Sequence, residues 1–96
     1  MTKAEIVAEI ANKTGIEKVA VQATVEAFMD SIKNSMTTGQ NVYLRGFGSF
    51  IIKKRAEKTG RNISRNTTLI IPAHNIPSFK PAKTFVNKVK SQVKVK

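Results

Sequence analysis

The stretch from Lys53 to Asn66, KKRAEKTGRNISRN, limits what this chain can become. It carries six basic residues (Lys53, Lys54, Arg55, Lys58, Arg61, Arg65) against one acid, Glu57, and its only bulky apolar residue is Ile63. Apolar runs that read as strands flank it, Ser49-Phe-Ile-Ile52 and Thr67-Thr-Leu-Ile-Ile71. Strand, polar excursion and strand predict a long hairpin. Its outer half has no apolar face, so it cannot fold back onto a core. It is expected to project into water and to be poorly ordered alone.

Charge separates along the chain. Residues 1–40 hold four Lys/Arg and five Asp/Glu, whereas residues 41–96 hold thirteen Lys/Arg and one acid. Solubility does not require acids to be nearly absent from half a chain, so the pattern points to a strongly positive surface that meets a polyanion. With 96 residues and 41% apolar content, one domain spanning 1–96 with a core of its own is expected. No run of 18 or more apolar residues is present, and the acids Glu5 and Glu9 in MTKAEIVAEI oppose a secretion signal. The absence of cysteine excludes disulfides and thiolate metal sites. A cytoplasmic protein without a membrane partner is the expectation.

The chain predicts an α+β order. Thr2 and Glu5 form a capping box for a first helix, with Ile6, Val7 and Ile10 inward and Gly15 just past its end. A second helix is expected from Lys18 to Met36. Its apolar residues Val21, Val25, Phe28, Ile32 and Met36 make one stripe, widened by Ala20, Ala23, Ala27 and Met29. A turn at 38–41 leads to a strand over Val42–Arg45, a tight Gly46-Phe-Gly48 link and a second strand to Arg55. There the chain leaves the core at Lys53, and Gly60, Asn62, Ser64 and Asn66 supply turn chemistry near the tip. Two prolines make 72–77 irregular, Ser78–Lys80 a short edge strand, and Pro81 the first turn of a third helix striped by Phe85, Val86, Val89 and Val93. The reading divides into a helical dimerisation part (1–40), a sheet with an arm at about 53–68 (41–80) and a C-terminal helix (81–96). The apolar residues exceed what so small a layer hides in a monomer, which predicts burial of the second helix and the sheet against a second copy.

Strand alternation places Lys53 and Arg55 on one face of the arm and Lys54 on the other. Arg55, Arg61 and Arg65 suit a groove or phosphate, because a planar, weakly hydrated guanidinium bonds base edges and backbone oxygens together. Lys58 suits phosphate. Lys80 and Lys83 flank the start of the third helix, and Lys3 sits in the first turn of the first; each can join backbone N–H groups on a phosphate. Phe47, Phe50 and Phe79 read as core rather than as a base-stacking platform. His74 reads as a surface loop residue, since no second His, no Cys and no nearby acid completes a metal site. Glu57 is expected to pair with a neighbouring cation. One histidine and acids concentrated in the helices give no acid–base pair, so no enzyme, cofactor or small-molecule substrate is expected.

Several motifs are familiar in combination. Arg45-Gly-Phe-Gly-Ser-Phe50, then Arg55 and Gly60-Arg-Asn62, then Asn75-Ile-Pro-Ser-Phe-Lys80 with Lys83 resemble the HU/IHF family of bacterial nucleoid proteins. The likeness covers nearly the whole chain. It implies an intertwined homodimer, or a heterodimer of close paralogues, whose helical base carries two β-ribbon arms that wrap duplex DNA through the minor groove; such proteins are themselves standard examples of minor-groove architecture. It implies a nucleoid-associated, histone-like protein with a preference for bent, nicked or flexible duplex. A wedge residue near each arm tip kinks the duplex in the family, and Ile63 stands where its proline would be, with Asn66 replacing a turn glycine. Isoleucine is an apolar wedge of suitable size, less pre-organised than proline. Two other readings are a sequence-selective, IHF-like bending factor and a basic module for RNA or another polyanion. A-form RNA, with its wide, shallow minor groove, suits a kinking wedge poorly.

Overall fold

Thr2 starts the first helix as expected: its hydroxyl accepts the Glu5 N–H at 3.3 Å. In the computed structural model α1 runs Lys3–Thr14 and ends on Gly15, whose φ of 75° permits its N–H to reach the Ala11 carbonyl at 2.9 Å. The model describes residues 1–62 and 67–95, with the backbone alone at 61, 62 and 67–69. The tip assignments for Ile63, Ser64, Arg65 and Asn66 lie outside the described residues.

Helix α2 (Lys18–Thr37) follows, one residue longer than the expected span from Lys18 to Met36. Strand β1 (Val42–Leu44) turns through Gly46, at φ 80°, into β2 (Gly48–Arg55). Beyond the Ala56-Glu57 break, β3 (Lys58–Asn62) pairs with β4 (Thr67–Ile71). The chain returns as β5 (His74–Pro81) and ends with α3 (Lys83–Gln92). The sheet order is β1-β2-β5, antiparallel throughout, and β3-β4 forms a separate two-stranded ribbon.

Several expectations are corrected. The strand Thr67–Ile71 does not pair with Ser49–Ile52; it pairs with β3, and β2 takes β5 over its whole length, from Gly48↔Pro81 to Arg55↔His74. Residues 74–77 are therefore strand rather than irregular, and pairing continues past Lys53. The prolines are tolerated for a geometric reason. The Ile52 N–H donates to Asn41 Oδ1 at 3.0 Å, on the β1 side, so Ile52 and its partner Pro77 exchange no ladder bonds. Pro81, opposite Gly48, lies at the same alternation, and β5 is an edge strand. Pro81 thus closes β5 instead of opening α3, and Val93 is the C-cap of α3 rather than part of its stripe.

The three phenylalanines expected in the core cluster together, though Phe47 and Phe79 stay 46% and 38% exposed in the single chain. Phe79 lies 5.1 Å from Phe47 and 5.0 Å from Phe50 between ring centroids, and Phe47 stacks on Phe85 at 5.6 Å. Gly48 makes the cluster possible. A Cβ there would lie 2.6 Å from two Phe79 ring carbons and 2.7 Å from the Lys80 carbonyl oxygen. Gly48→Ala should therefore destabilise the fold by about 1–3 kcal/mol, as for other overpacked sites. A lowered urea midpoint at unchanged slope checks this, and an unchanged midpoint contradicts it.

Candidate nucleic-acid interface

Strand β2 keeps its backbone partner for three residues after its last apolar side chain. Lys53, Lys54 and Arg55 are exposed and lie opposite Ile76, Asn75 and His74. Strand pleating puts Lys53 and Arg55 on one face and Lys54 on the other, as the alternation predicts. The ladder then stops on both strands. Pro72 has no N–H to donate, and Ala56-Glu57 lies unpaired beside Pro72-Ala73 until Lys58 meets Ile71. The chain folds around this joint so that Lys53, Lys54, Arg55 and Lys58, with His74, Ala56, Ile71 and Ile76, line one concavity of about 670 Å³.

Among the described side chains the one ion pair is Lys3–Glu26, so no acid neutralises the cations of the joint, and the pairing expected of Glu57 is not among the described contacts. Four like charges around one hollow repel one another, and an anion threaded through it would relieve that repulsion. The joint therefore collects Lys53, Arg55 and Lys58 from the sequence-predicted set. Strand β3 places Arg61 by its backbone opposite Thr68. Ile63 and Arg65 are outside the described residues. On the arm's other strand, Ile70 and Ile71 are 66% and 45% exposed, which leaves an apolar strip beside the charges.

The remaining lysines occupy other places. Lys80 is exposed near the end of β5 and, with Arg45, Tyr43 and Gly46, lines a second hollow of about 520 Å³. Lys83 is the first residue of α3; its N-cap, Ala82, offers no side-chain acceptor, so first-turn N–H groups remain open to an anion beside it. Lys3 is engaged, with Nζ 3.0 Å from Glu26 Oε1 across the α1–α2 contact. Sequence reading placed Arg45 at the end of a short strand and gave it no binding role, and treated His74 as a loop residue because the prolines hid the strand. Only the strand register could have revealed either position. Among the described residues no cluster of His, Cys, Asp or Glu could hold a metal, and no helix is long and apolar enough to cross a membrane.

A family model described as bacterial DNA-binding protein matches residues 1–90. The chain belongs to the HU family of bacterial DNA-binding proteins. It is 37% identical over 92 residues to the SPbeta prophage-derived DNA-binding protein HU 2 of Bacillus subtilis, which covers 96% of this chain and all of that protein. It is 38% identical over 90 residues to HU of Thermus thermophilus, covering 94% of this chain and 93% of that one. Among solved structures, Anabaena HU in a cocrystal with DNA superposes with a TM-score of 0.88 at 36% identity, over 93% of this chain and 97% of that one. HU from Thermotoga maritima superposes at 0.65 and 26% identity, over 93% and 98%. HU-family membership makes the chain a histone-like DNA-binding protein, and the α+β fold is the family's.

The Lys3–Glu26 pair gives a direct test of the α1–α2 contact. The Lys3 ammonium, through its hydrogen bond and then its charge, holds the Glu26 carboxyl below the usual carboxylate range, helped by Gln22. A depressed carboxylate stabilises the fold above its unfolded-state pKa, and that contribution fades as pH falls through the folded value. In Lys3→Ala, carbon-detected NMR titration should show the Glu26 pKa rising towards the ordinary range. An unmoved titration would mean that the pair does not persist in solution.

Proposed function

We propose that two copies of this chain form one DNA-bending unit, with two arms that embrace duplex DNA through the minor groove at low sequence specificity. The observation that carries the DNA contact is the un-neutralised set of cations on a paired ribbon that stands away from the core. The one that carries the dimer is the apolar surface left uncovered. Among the described side chains, Val7 and Val21 are the only buried hydrophobic residues, at 2% and 3% exposure. The accessible surface is 8449 Å², against about 5,500 Å² for a compact monomer of 10.6 kDa. The radius of gyration is 19.0 Å, against about 12.5 Å for a compact chain of this length. An apolar groove of about 550 Å³ runs between the end of α2 and the sheet, lined chiefly by Ile32, Met36, Phe50, Ile52, Ile76 and Pro77. A second copy, whose α2 carries the same stripe, fits that groove. Residues 1–96 then act as one unit, cytoplasmic and associated with the nucleoid, that needs no cofactor.

Each arm would lay Lys53, Arg55 and Lys58 along phosphates and present Arg61, Ile63 and Arg65 towards the groove. Lys80 and Lys83 would hold flanking phosphates, with Lys3 exchanging Glu26 for one. Affinity then comes from counterion release, and preference comes from how easily the duplex deforms. Smooth bending of a short site costs on the order of 1–6 kcal/mol, so nicked or pre-bent DNA binds better than straight duplex.

Sedimentation equilibrium should give twice the chain mass of 10.6 kDa. Ile32→Glu should shift the protein towards unfolded monomer; a folded monomer in the parent protein would refute the paired scaffold. Two substitutions separate grip from kink. Arg55→Ala should weaken binding to all duplexes and reduce the salt slope by about one phosphate contact per arm. Ile63→Ala should reduce bending, measured by end-to-end fluorescence transfer, while binding to pre-kinked DNA stays nearly intact. Equal bending by both forms would remove Ile63 from the wedge role.

A further inference from the structure

The arm joint contains a titratable group that the cationic reading leaves out. His74 opens β5 directly opposite Arg55 and lines the same concavity as Lys53, Lys54 and Lys58. Its Nδ1 lies 2.9 Å from the Pro72 carbonyl oxygen. A carbonyl only accepts, so Nδ1 carries the proton in the neutral ring, and the next proton goes to Nε2. Charging the ring therefore keeps the tie to Pro72 and converts Nε2 from an acceptor into a cationic donor.

We propose that His74 is a fourth phosphate-binding group of the arm joint, beside Lys53, Arg55 and Lys58, engaged when protonated, and that it makes the grip on DNA tighten as pH falls. Histidine is the side chain whose ordinary titration lies between pH 5 and 8. In the free protein the groups around it are Arg55, Lys53 and Lys54 from β2 and Lys58 from β3, with Glu57 the only acid on the connecting segment. Arg55 stands directly opposite His74 on the paired strand. A DNA phosphate between them attracts both cations. Phosphate binding and proton uptake at Nε2 are then linked, and by reciprocity lower pH raises affinity. The tie to Pro72 fixes the ring at the break in the ladder, so the added charge arrives at a held position.

The inference rests on the DNA-binding reading, and the experiment keeps the two apart. Binding of full-length protein to a nicked duplex is measured against salt at pH 5.5 and pH 8, for the parent chain, His74→Gln and His74→Lys. The parent protein should bind more tightly at pH 5.5, on the order of five- to tenfold per engaged arm near 0.1 M salt, with a steeper salt slope. His74→Gln should lose most of this difference and behave at both pH values as the parent does at pH 8. His74→Lys should bind tightly at both. The same pH response in parent and His74→Gln overturns the role of His74 and leaves the proposed function standing. Failure of the parent to bind the duplex at either pH overturns both.

Discussion

Helix α1 has 12 residues and α2 has 20, so α1 is about 18 Å long and can cover little more than half of the roughly 30 Å of α2. Everything else in the molecule answers to that mismatch. The stripe Val21, Val25, Phe28, Ile32, Met36 runs the length of α2, yet only Val21 is buried within the chain, and Phe28 is 49% exposed. The sheet meets the far end of α2 without closing on it, and the groove beside Ile32 and Met36 remains. The aromatic cluster has the same incompleteness, since Phe47 and Phe79 touch each other and are still 46% and 38% exposed. A single copy lacks a closed core, and the proposed pairing would supply one. A paired base would also give the arms their purpose, because it would fix two cationic ribbons at a set separation, which one chain cannot do.

The arm depends on the sheet in a more local way. A two-stranded ribbon without an apolar face is marginal in water, so its base must be anchored by a third strand or a helix. Here β2 and β5 supply the anchor: their inner halves carry Phe50, Ile52, Pro77 and Phe79 over the core, and their outer halves carry Lys53, Arg55 and His74 into solvent on the same ladder. Continuity of backbone bonding lets a charged segment inherit its position from an apolar one. The prolines restrict that continuity without breaking it. Pro77 and Pro81 stand where no ladder donor is needed, whereas Pro72 stands where the ladder stops.

Sequence legibility followed the length scale of each signal. Helix α1 was readable because Thr2, Glu5 and Gly15 mark its ends with side-chain and backbone chemistry contained in a few residues. The α2 stripe was readable because its period repeats at five positions over about four turns. The β2–β5 register was not, because whether a proline breaks a strand depends on which side its missing N–H would face, and that is set by Asn41 and β1, more than thirty residues away. The same blindness concealed His74: with 72–77 taken as irregular, nothing placed it opposite Arg55. Among the cations, the cluster of Lys53, Arg55 and Lys58 could be read from their shared arm. The engagement of Lys3 by Glu26 could not, since it depends on how α1 crosses α2.

The division of charge follows from the same architecture. Four of the five acids in residues 1–40 belong to the helices, where Glu26 holds Lys3 and the net charge is close to zero. Two copies can approach through that region without large electrostatic repulsion. The sheet, the arm and the C-terminal helix hold the excess positive charge, where two copies would repel if brought together. In the proposed dimer, opposed placement of the arms would satisfy both demands at once: apolar, nearly neutral surfaces would meet at the base, and cationic surfaces would diverge around a space for a polyanion. A chain with its cations spread evenly over both halves would weaken its own pairing in proportion to its affinity for DNA. Segregation removes that conflict, and it does so with residue types alone, without any buried ion pair among the described residues.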